Sequence, residues 1–292
     1  MTQIEKLRRA YHRRLCTQLL SYRLAKGKCR TDVPNIADRD SRTSVEFSQG
    51  LVAELGHKVG NKDPSAGTLG KQFAELTKGF LETAFPTLGH LRPGRWFLST
   101  SQAGTGIAAF DQYEHIARLA GVLEKNRDLR AALGGDYLIR PDIIVARDPE
   151  PDERINAHTL LVENGRKLVT HSPLREGNVP GSPAILHASI SCKWTMRSDR
   201  SQNTRTEALN LIRNRKGNTP HIVAVTFEPL PGRLASIALG TGDLDCTYHV
   251  ALHELVKVVD RSKKDTQIEQ LRDLVQGRRL RDISDLPFDL AV

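Results

Sequence analysis

The second half of the chain alternates short apolar runs with a helical segment, and this alternation limits the possible folds more than any other feature. The runs YLIRPDIIVAR, ILHASISCKW and HIVAVTFEP have the length and the β-branched content of buried strands. Between the last two, RTEALNLIRNRKGN carries apolar residues at helical spacing and ends at a glycine. HTLLVEN and GRLASIAL are further predicted strands, and DCTYHVALHELVKVV is a predicted helix. The pattern predicts an α/β fold in which helices flank a mixed sheet.

The first part of the chain is predicted to be mostly helical. Apolar residues recur at helical spacing from Ile4 to Leu24, after Ser44, from Gly70 to Phe85 and from Asp111 to Leu133, with a strand at Trp96–Leu98. The sequence contains no internal repeat and no low-complexity tract. We therefore predict a single domain over residues 1–292, with an N-terminal helical part at about 1–135 and a core at about 136–292.

The charge balance favours a polyanionic partner. The 292 residues include 43 Lys and Arg against 34 Asp and Glu, a net charge of +9. Aromatic residues make up 5% of the chain, which disfavours a protein that binds single strands by stacking many bases. The four cysteines form no CxxC pair and the ten histidines no HExxH motif, which argues against a zinc site or a disulfide framework. The start has no signal-peptide pattern and no run approaches the roughly 18 apolar residues of a membrane span, so we expect a cytoplasmic protein.

Three residues suited to phosphate chemistry fall near the ends of predicted elements. Asp142 follows a proline inside an apolar strand, Lys193 lies on the more polar face at the end of the next strand, and Glu207 opens the helix that follows. Carboxylate oxygens bind Mg²⁺, which polarises a scissile phosphate and activates water, while a lysine stabilises growing negative charge. If the two strands are neighbours, this combination suits metal-assisted hydrolysis of a phosphodiester. The alternative is that Asp142 is a turn residue and that Lys193 prevents an exposed sheet edge from pairing with other strands.

Arg197, Asp199 and Arg200 come shortly after Lys193, between the predicted strand and helix. An arginine can donate two hydrogen bonds to guanine, and a carboxylate can accept one from the amino group of cytosine. An aspartate between two arginines therefore suits the reading of adjacent G·C pairs, and its position beside a phosphate-cleaving centre would couple reading to cutting. The alternative is a solvated loop of salt bridges.

At these residues the sequence resembles a known family. PDII, SISCKW, RSDRSQN, EALNL and RNRKG are similar to the PD-(D/E)xK type II restriction endonucleases that cut CCGG-containing sites. The resemblance extends into SIALGTG and the tail DISDLPFDLAV. It is nearly continuous from about Tyr137, apart from residues 149–184, and weakens toward the N-terminus.

The resemblance implies a role for each matching residue. Asp142 and Glu207 match metal-binding carboxylates, Cys192 matches a residue whose backbone carbonyl binds the metal, and Lys193 matches the catalytic lysine. Ser191 occupies the place from which the second carboxylate has moved to the helix. The residues that match readers of the CCGG core are Arg197, Asp199 and Arg200, and those that match readers of the outer base pair are Arg233, for guanine, and Asp38, for cytosine. A glutamate near the family's active site falls at Ala74 here, with Glu75 beside it.

The resemblance also implies the reaction and the partners. The expected enzyme uses Mg²⁺ to cut both strands of a palindromic CCGG-core site, GCCGGC, after the first G and leaves a 5′ CCGG overhang. The expected partner is double-stranded DNA, bound by a homodimer at each palindrome, with two dimers forming a homotetramer. The alternatives are a CCGG-core site with different outer base pairs, a non-catalytic DNA-binding regulator, and a junction resolvase, which would not need the Arg–Asp–Arg group.

Overall fold

The computed structural model describes residues 1–23, 33–60, 65–101, 106–125, 139–176, 181–240 and 242–292. Their main element is a six-stranded mixed sheet. Its strands, in spatial order, are β3 (Trp96–Thr100), β4 (Ile143–Arg147), β5 (Ile185–Lys193), β6 (His221–Thr226), β7 (Cys246–His249) and β8 (Leu280–Asp282). β3, β4 and β5 pair antiparallel, whereas β5 to β8 run parallel. A separate two-stranded ribbon joins β1 (Tyr22–Arg23) to β2 (Val33–Pro34). The α/β prediction of a mixed sheet flanked by helices is confirmed.

The described helices are α1 (Gln3–Gln18), α2 (Arg42–Leu55), α3 (Ala66–Ala84), α4 (Glu114–Glu124), α5 (Asp152–Ile155), α6 (Ser198–Asn214), α7 (Pro231–Ala238), α8 (Leu252–Arg261), α9 (Asp265–Gln276) and α10 (Leu286–Asp289). Capping side chains mark several starts: Thr2 and Glu5 form a reciprocal capping box at α1, and Ser41, rather than Ser44, caps α2. The predicted ends at Gly27 and at Leu133 lie outside the described residues. Within the part of the chain that the structure describes, no helix has the length and apolar character needed to cross a membrane.

Successive residues of a strand point to opposite sides, and the central strands of the sheet are buried on both faces. Ile143 and Val145 of β4 pack into the larger core, with residues of α1, α2, α3, α8 and α9. Ile144 and Ala146 pack into a second core with residues 107–116 and with Leu211 of α6. A sheet covered on both sides exposes its chemistry only at the strand ends, and the candidate site lies there.

The alternation along β5 is interrupted at His187. The sequence pattern places Leu186 on the same face as Ala188 and Ile190. The pairing instead steps from Ala188 to Leu186 while β4 advances by one residue, from Val145 to Ala146. This irregularity moves Leu186 to the opposite core from Ala188.

Three predicted elements differ from the structure. GRLASIAL is not a strand but most of α7, which begins at Pro231 and buries Leu234, Ile237 and Ala238 at helical spacing. DCTYHVALHELVKVV divides into β7 and α8, because its first residues pair with β6 and β8. HTLLVEN, all of it described, forms no strand, and Leu160 and Leu161 are exposed.

The N-terminal helix is attached to the far edge of the sheet through a partly buried ionic network. Arg8 of α1 donates to both carboxylate oxygens of Asp282 at 2.7–2.8 Å and to both of Glu254 at 2.6–2.8 Å. The Asp282 side chain is 1% exposed. Two bidentate contacts from one guanidinium fix the position of α1 against α8 and β8.

Candidate active site

Asp142 and Lys193 meet where β4 begins and β5 ends. Because these strands are antiparallel, with Ile143 opposite Ile190, the residues just before β4 lie beside the last residues of β5. The Lys193 ammonium donates to Asp142 Oδ2 at 2.8 Å, and the backbone N–H of Cys192 donates to the same oxygen at 2.8 Å. Asp142 lies immediately before β4 rather than inside a strand.

Glu207 reaches the same edge of the sheet from the middle of α6, not from the start of a helix. One turn earlier, the Thr204 hydroxyl lies 3.3 Å from that of Ser191 and holds the helix against β5. The Glu207 side chain is half-buried. Burial raises the pKa of Glu207, an effect that Lys193 opposes and Asp142 reinforces. The structure therefore brings Asp142, Lys193 and Glu207 into one electrostatic cluster.

The carboxylates keep Lys193 charged. Burial by itself lowers the pKa of Lys193, but the charge and hydrogen bond of Asp142, together with Glu207, raise it above its ordinary value. A positive charge is thus held beside two carboxylates at neutral pH, where it can stabilise additional negative charge.

The donor set at this edge suits a hard divalent cation. The N–H of Cys192 faces Asp142, and since the N–H and C=O of one strand residue point to the same side, the Cys192 carbonyl faces that edge as well. Two carboxylates and a carbonyl supply only oxygen ligands. Within the described residues, no group of three or more His, Cys, Asp or Glu side chains forms a metal cage. Mg²⁺ is commonly held by one or two carboxylates, with water and substrate phosphate completing its shell.

Arg197, Asp199 and Arg200 lie at the start of α6 rather than in a loop before it. Arg197 is the extended residue before the helix, and Asp199 lies in the first turn, where the helix dipole favours a carboxylate. The side chains of Arg197 and Asp199 are exposed. Arg200 donates from Nη1 to the backbone and hydroxyl oxygens of Thr195, each at 3.0 Å, which orients its guanidinium.

Arg233 and Asp38 are in direct contact, although 195 positions separate them in the chain. Arg233 projects from the first turn of α7, and Asp38 lies between β2 and α2. The backbone N–H of Asp40 and then Arg233 lower the pKa of Asp38, so this carboxylate stays ionised. The structure therefore pairs the two residues that the sequence predicts to read one outer base pair.

A cleft of about 480 Å³ connects the two groups of residues. Its lining includes Asp142 and Lys193 together with Asp38, Arg197, Arg200 and Arg233. Asp199 lines an adjacent depression, which also contacts Asp38, Arg197 and Arg233. Glu207 is not part of the cleft lining and approaches Asp142 from the helix side. Basic side chains and a carboxylate–lysine pair thus share one concave surface.

Comparison with known proteins identifies the chain's relatives. The model of the NgoMIV restriction enzyme family matches residues 11–292. The type II restriction enzyme NgoMIV of Neisseria gonorrhoeae is 45% identical over 260 residues, which cover 88% of this chain and 89% of that protein. This chain belongs to the NgoMIV restriction enzyme family. Among solved structures, the restriction endonuclease PspGI in complex with its substrate DNA is similar at a TM-score of 0.24 and 18% identity, covering 35% of this chain and 38% of that chain.

Membership of the NgoMIV restriction enzyme family decides the class of activity. The chain is a type II restriction endonuclease, a site-specific deoxyribonuclease that binds DNA. The alternatives of a non-catalytic regulator and of a junction resolvase are therefore set aside.

The structure gives contacts for two further acidic residues of this NgoMIV-family chain, of which only Glu75 was indicated by the sequence. Glu228 is completely buried beneath the cleft, and its carboxylate accepts hydrogen bonds from two backbone N–H groups. Glu75 accepts a hydrogen bond from Thr100, whose neighbour Ser101 donates its N–H to the Asp142 carbonyl. Ala74, by contrast, is buried in the core. In the sequence, Glu228 is recognisable only as a glutamate between a strand and a proline, in TFEP. The sequence does not indicate its role, because Met196 is distant from it in the chain.

Proposed function

We propose that this restriction enzyme uses Mg²⁺ to cut both strands of the palindrome GCCGGC after the first G, leaving a 5′ CCGG overhang. The proposal depends on the observation that one cleft contains both the Asp142–Lys193 pair and the arginines Arg197, Arg200 and Arg233. The readers of guanine and the groups that act on phosphate thereby face the same stretch of DNA.

In this proposal Asp142, Glu207 and the backbone carbonyl of Cys192 hold the metal ion. Restriction endonucleases generally use a divalent metal ion, and the all-oxygen donor set favours Mg²⁺ over softer metals. When bound, Mg²⁺ supplies polarisation of the scissile phosphate and a lowered pKa for a water molecule. Lys193, fixed by its hydrogen bond to Asp142, stabilises the negative charge that grows on the phosphate during attack.

Site recognition is assigned to three segments: the start of α6, the start of α7 and the loop between β2 and α2. Arg197 and Arg200 donate to guanines of the CCGG core, and Asp199 accepts from cytosine amino groups. Arg233 reads the outer guanine and Asp38 the cytosine paired with it. Their contact in the free protein supports this assignment, because the two bases of one pair present neighbouring edges. A guanidinium has five N–H donors and can face a guanine while it remains beside a carboxylate.

Assembly follows from the symmetry of the proposed site. A palindrome presents the same half-site twice, so we infer a two-fold homodimer in which each subunit reads one half. We further infer that two dimers form a tetramer. Several large apolar side chains between residues 160 and 174 are open to solvent and are available for burial between subunits: Leu160, Leu161, Leu168, Val169 and Leu174.

Digestion of a plasmid of known sequence, with and without Mg²⁺, tests the proposal. We expect Mg²⁺-dependent fragments whose sequenced ends map to GCCGGC and carry 5′ CCGG overhangs. A plasmid from which this hexamer has been removed, but which retains other CCGG-core hexamers, is the matched control. If the control plasmid is cut, the outer base pair of the proposed site is wrong, and the sequenced ends identify the correct one. Failure to cut any CCGG site would overturn the assigned recognition sequence.

A further inference from the structure

Glu228 connects two of the three segments that carry the proposed base-reading residues, the starts of α6 and α7. It lies two residues beyond β6, and its side chain is 0% exposed. Its Oε2 accepts the backbone N–H of Met196 at 2.8 Å, and its Oε1 accepts the backbone N–H of Leu230 at 3.1 Å. Met196 directly precedes Arg197, and Leu230 is the residue from which α7 begins. One carboxylate therefore holds the starts of both segments.

The same carboxylate also faces Arg233. Glu228 Oε2 lies 3.9 Å from Arg233 Nη1, on the buried side of the guanidinium whose other end contacts Asp38. Arg233 is thus held between the half-buried carboxylate of Asp38 and the buried carboxylate of Glu228. An apolar side chain of similar size would fill this space but would leave two backbone N–H groups without acceptors and Arg233 without its inner partner.

We propose that Glu228 is a positioning residue that sets the spacing between the Arg197–Arg200 segment and Arg233, and thereby determines how sharply the enzyme discriminates against sites that differ at the outer base pair. This inference rests on the proposed function. Glu228 has no access to DNA, so it acts only through the backbone of the two segments and through the orientation of Arg233. A shift of either segment by a fraction of a hydrogen-bond length would weaken bidentate contacts with guanine, whose geometry is demanding.

The protonation of Glu228 gives the proposal a second consequence. Burial raises the pKa of Glu228 to about 7, although the Met196 N–H, Arg233 and the Leu230 N–H lower it in part and Asp38 raises it further. His249 is a further titratable neighbour, since its Nε2 lies 3.1 Å from the backbone carbonyl oxygen of Glu228. A protonated carboxyl can no longer accept at both oxygens in the same way, so discrimination is expected to weaken as pH falls through about 7.

The test compares Glu228→Gln with Asp282→Asn. Both variants neutralise a buried carboxylate that accepts backbone N–H groups, but Asp282 lies in the network with Arg8, away from the cleft. The measurement is kcat/KM on duplexes that carry the cut site and on duplexes changed only at the outer base pair, with affinity for site-free DNA as a further readout. For Glu228→Gln we expect the ratio between the two duplexes to fall about tenfold, with site-free binding unchanged. Asp282→Asn should keep the wild-type ratio.

Equal losses on both duplexes, with the ratio preserved in Glu228→Gln, would overturn the proposal and leave Glu228 a purely structural residue. If that variant does not fold, the ratio of kcat/KM on the two duplexes is measured instead for the wild-type enzyme between pH 6 and pH 8.5. A ratio that falls below about pH 7 supports the proposal, and a constant ratio contradicts it. Wild-type cleavage tests the proposed function separately, because the duplex pair is chosen from whichever CCGG-core site the wild type cuts.

Discussion

At the scale of single residues, the contact between Asp142 and Lys193 defines what each contributes. Asp142 Oδ2 accepts from both Lys193 and the backbone of Cys192, so this side chain organises the end of β5 as well as offering a ligand oxygen. Both groups remain partly accessible, with side-chain exposures of 30% for Asp142 and 19% for Lys193. Such a pair is open to phosphate and metal yet fixed in position.

Replacement of Asp142 by alanine should abolish cleavage while site-specific binding persists. The change removes a proposed metal ligand and the partner of Lys193, and we expect a loss of about 10³-fold or more in cleavage rate. Single-turnover cleavage and gel-shift titration on the same duplex measure the two effects. Asp148→Asn, just beyond the other end of β4, is the control. Near wild-type cutting by Asp142→Ala would remove Asp142 from the catalytic assignment.

Replacement of Arg200 by alanine should reduce specific cutting far more than non-specific binding. Arg200 lines the cleft and is oriented by Thr195, whereas Arg213, near the end of the same helix, is exposed and lies outside the cleft lining. Loss of a bidentate contact with guanine typically costs about 1–3 kcal/mol of discrimination. Arg213→Ala, which removes the same charge, should change affinity for both kinds of DNA alike. The measurements are the cleavage rate on the site-containing duplex and the Kd values for site-containing and site-free duplexes at one salt concentration. Equal losses in cutting and in non-specific binding for Arg200→Ala would contradict the prediction.

At the scale of elements, close packing between helices positions the cleft walls. α2, which follows the segment that contains Asp38, packs on α8 through Gly50. A Cβ atom at Gly50 would lie 2.7 Å from Val258 Cγ1, closer than side chains pack. The glycine in the middle of α2 therefore reflects this helix contact, because glycine is otherwise unfavourable inside a helix.

Gly50→Ala should destabilise the protein by about 1 kcal/mol, because overpacking of about 1–3 kcal/mol exceeds the gain in helix propensity of about 1 kcal/mol. In a Val258→Ala background the clash is removed, so the same substitution should become neutral or stabilising. Urea denaturation of the four proteins of this double-mutant cycle measures the change. A destabilisation that persists unchanged in the Val258→Ala background would show that the contact is not its cause.

Local sequence pattern identified most elements correctly, and the exceptions have physical causes. α6 begins several residues earlier than its apolar periodicity suggests, because its first turn is polar and faces the cleft. The sequence of α7 predicts a strand, because eight residues rich in small and branched side chains suit both a strand and a helix. Pro231 at the first position of the helix favours the helix that is observed. The irregular pairing at His187 depends on the partner strand and has no signal in β5 alone.

At the scale of the whole molecule, buried ionisable groups govern the response to pH. His12, His187 and His249 are buried, and burial lowers the pKa of each to about 4. In His249, Nδ1 accepts the Ala251 N–H and the other ring nitrogen faces the Glu228 carbonyl, so the neutral ring satisfies both contacts. Protonation of Nδ1 would remove the first contact.

Because these three pKa values lie below the unfolded value of 6.5, the histidines stabilise the fold fully above about pH 6.5 and lose this contribution as pH falls toward 4. Glu228 has the opposite sign, since its raised pKa favours the fold at low pH and this contribution disappears between about pH 4.5 and 7. Glu207, whose pKa is also raised, acts in the same direction as Glu228. With three histidines against these two carboxyl groups, we expect the free energy of unfolding to decrease below pH 6.5. Urea midpoints from pH 7.5 to 4.5 measure it.

His249→Gln should make this decrease shallower, whereas His253→Gln, at an exposed position, should leave it unchanged. An identical pH profile for wild type and His249→Gln would show that His249 does not contribute to acid sensitivity.

The sequence by itself determined the α/β class, the candidate chemistry of Asp142 and Lys193, and the Arg–Asp–Arg group, because periodicity and residue type are expressed among near neighbours in the chain. Only the tertiary structure decided which distant residues meet. Asp38 and Arg233 come into contact across 195 positions, and Glu207 reaches the strand ends from the middle of a helix. Glu228 joins two segments that local pattern treats as independent. Such contacts depend on strand order and helix packing, which are set by burial of the two cores rather than by any local stretch of sequence.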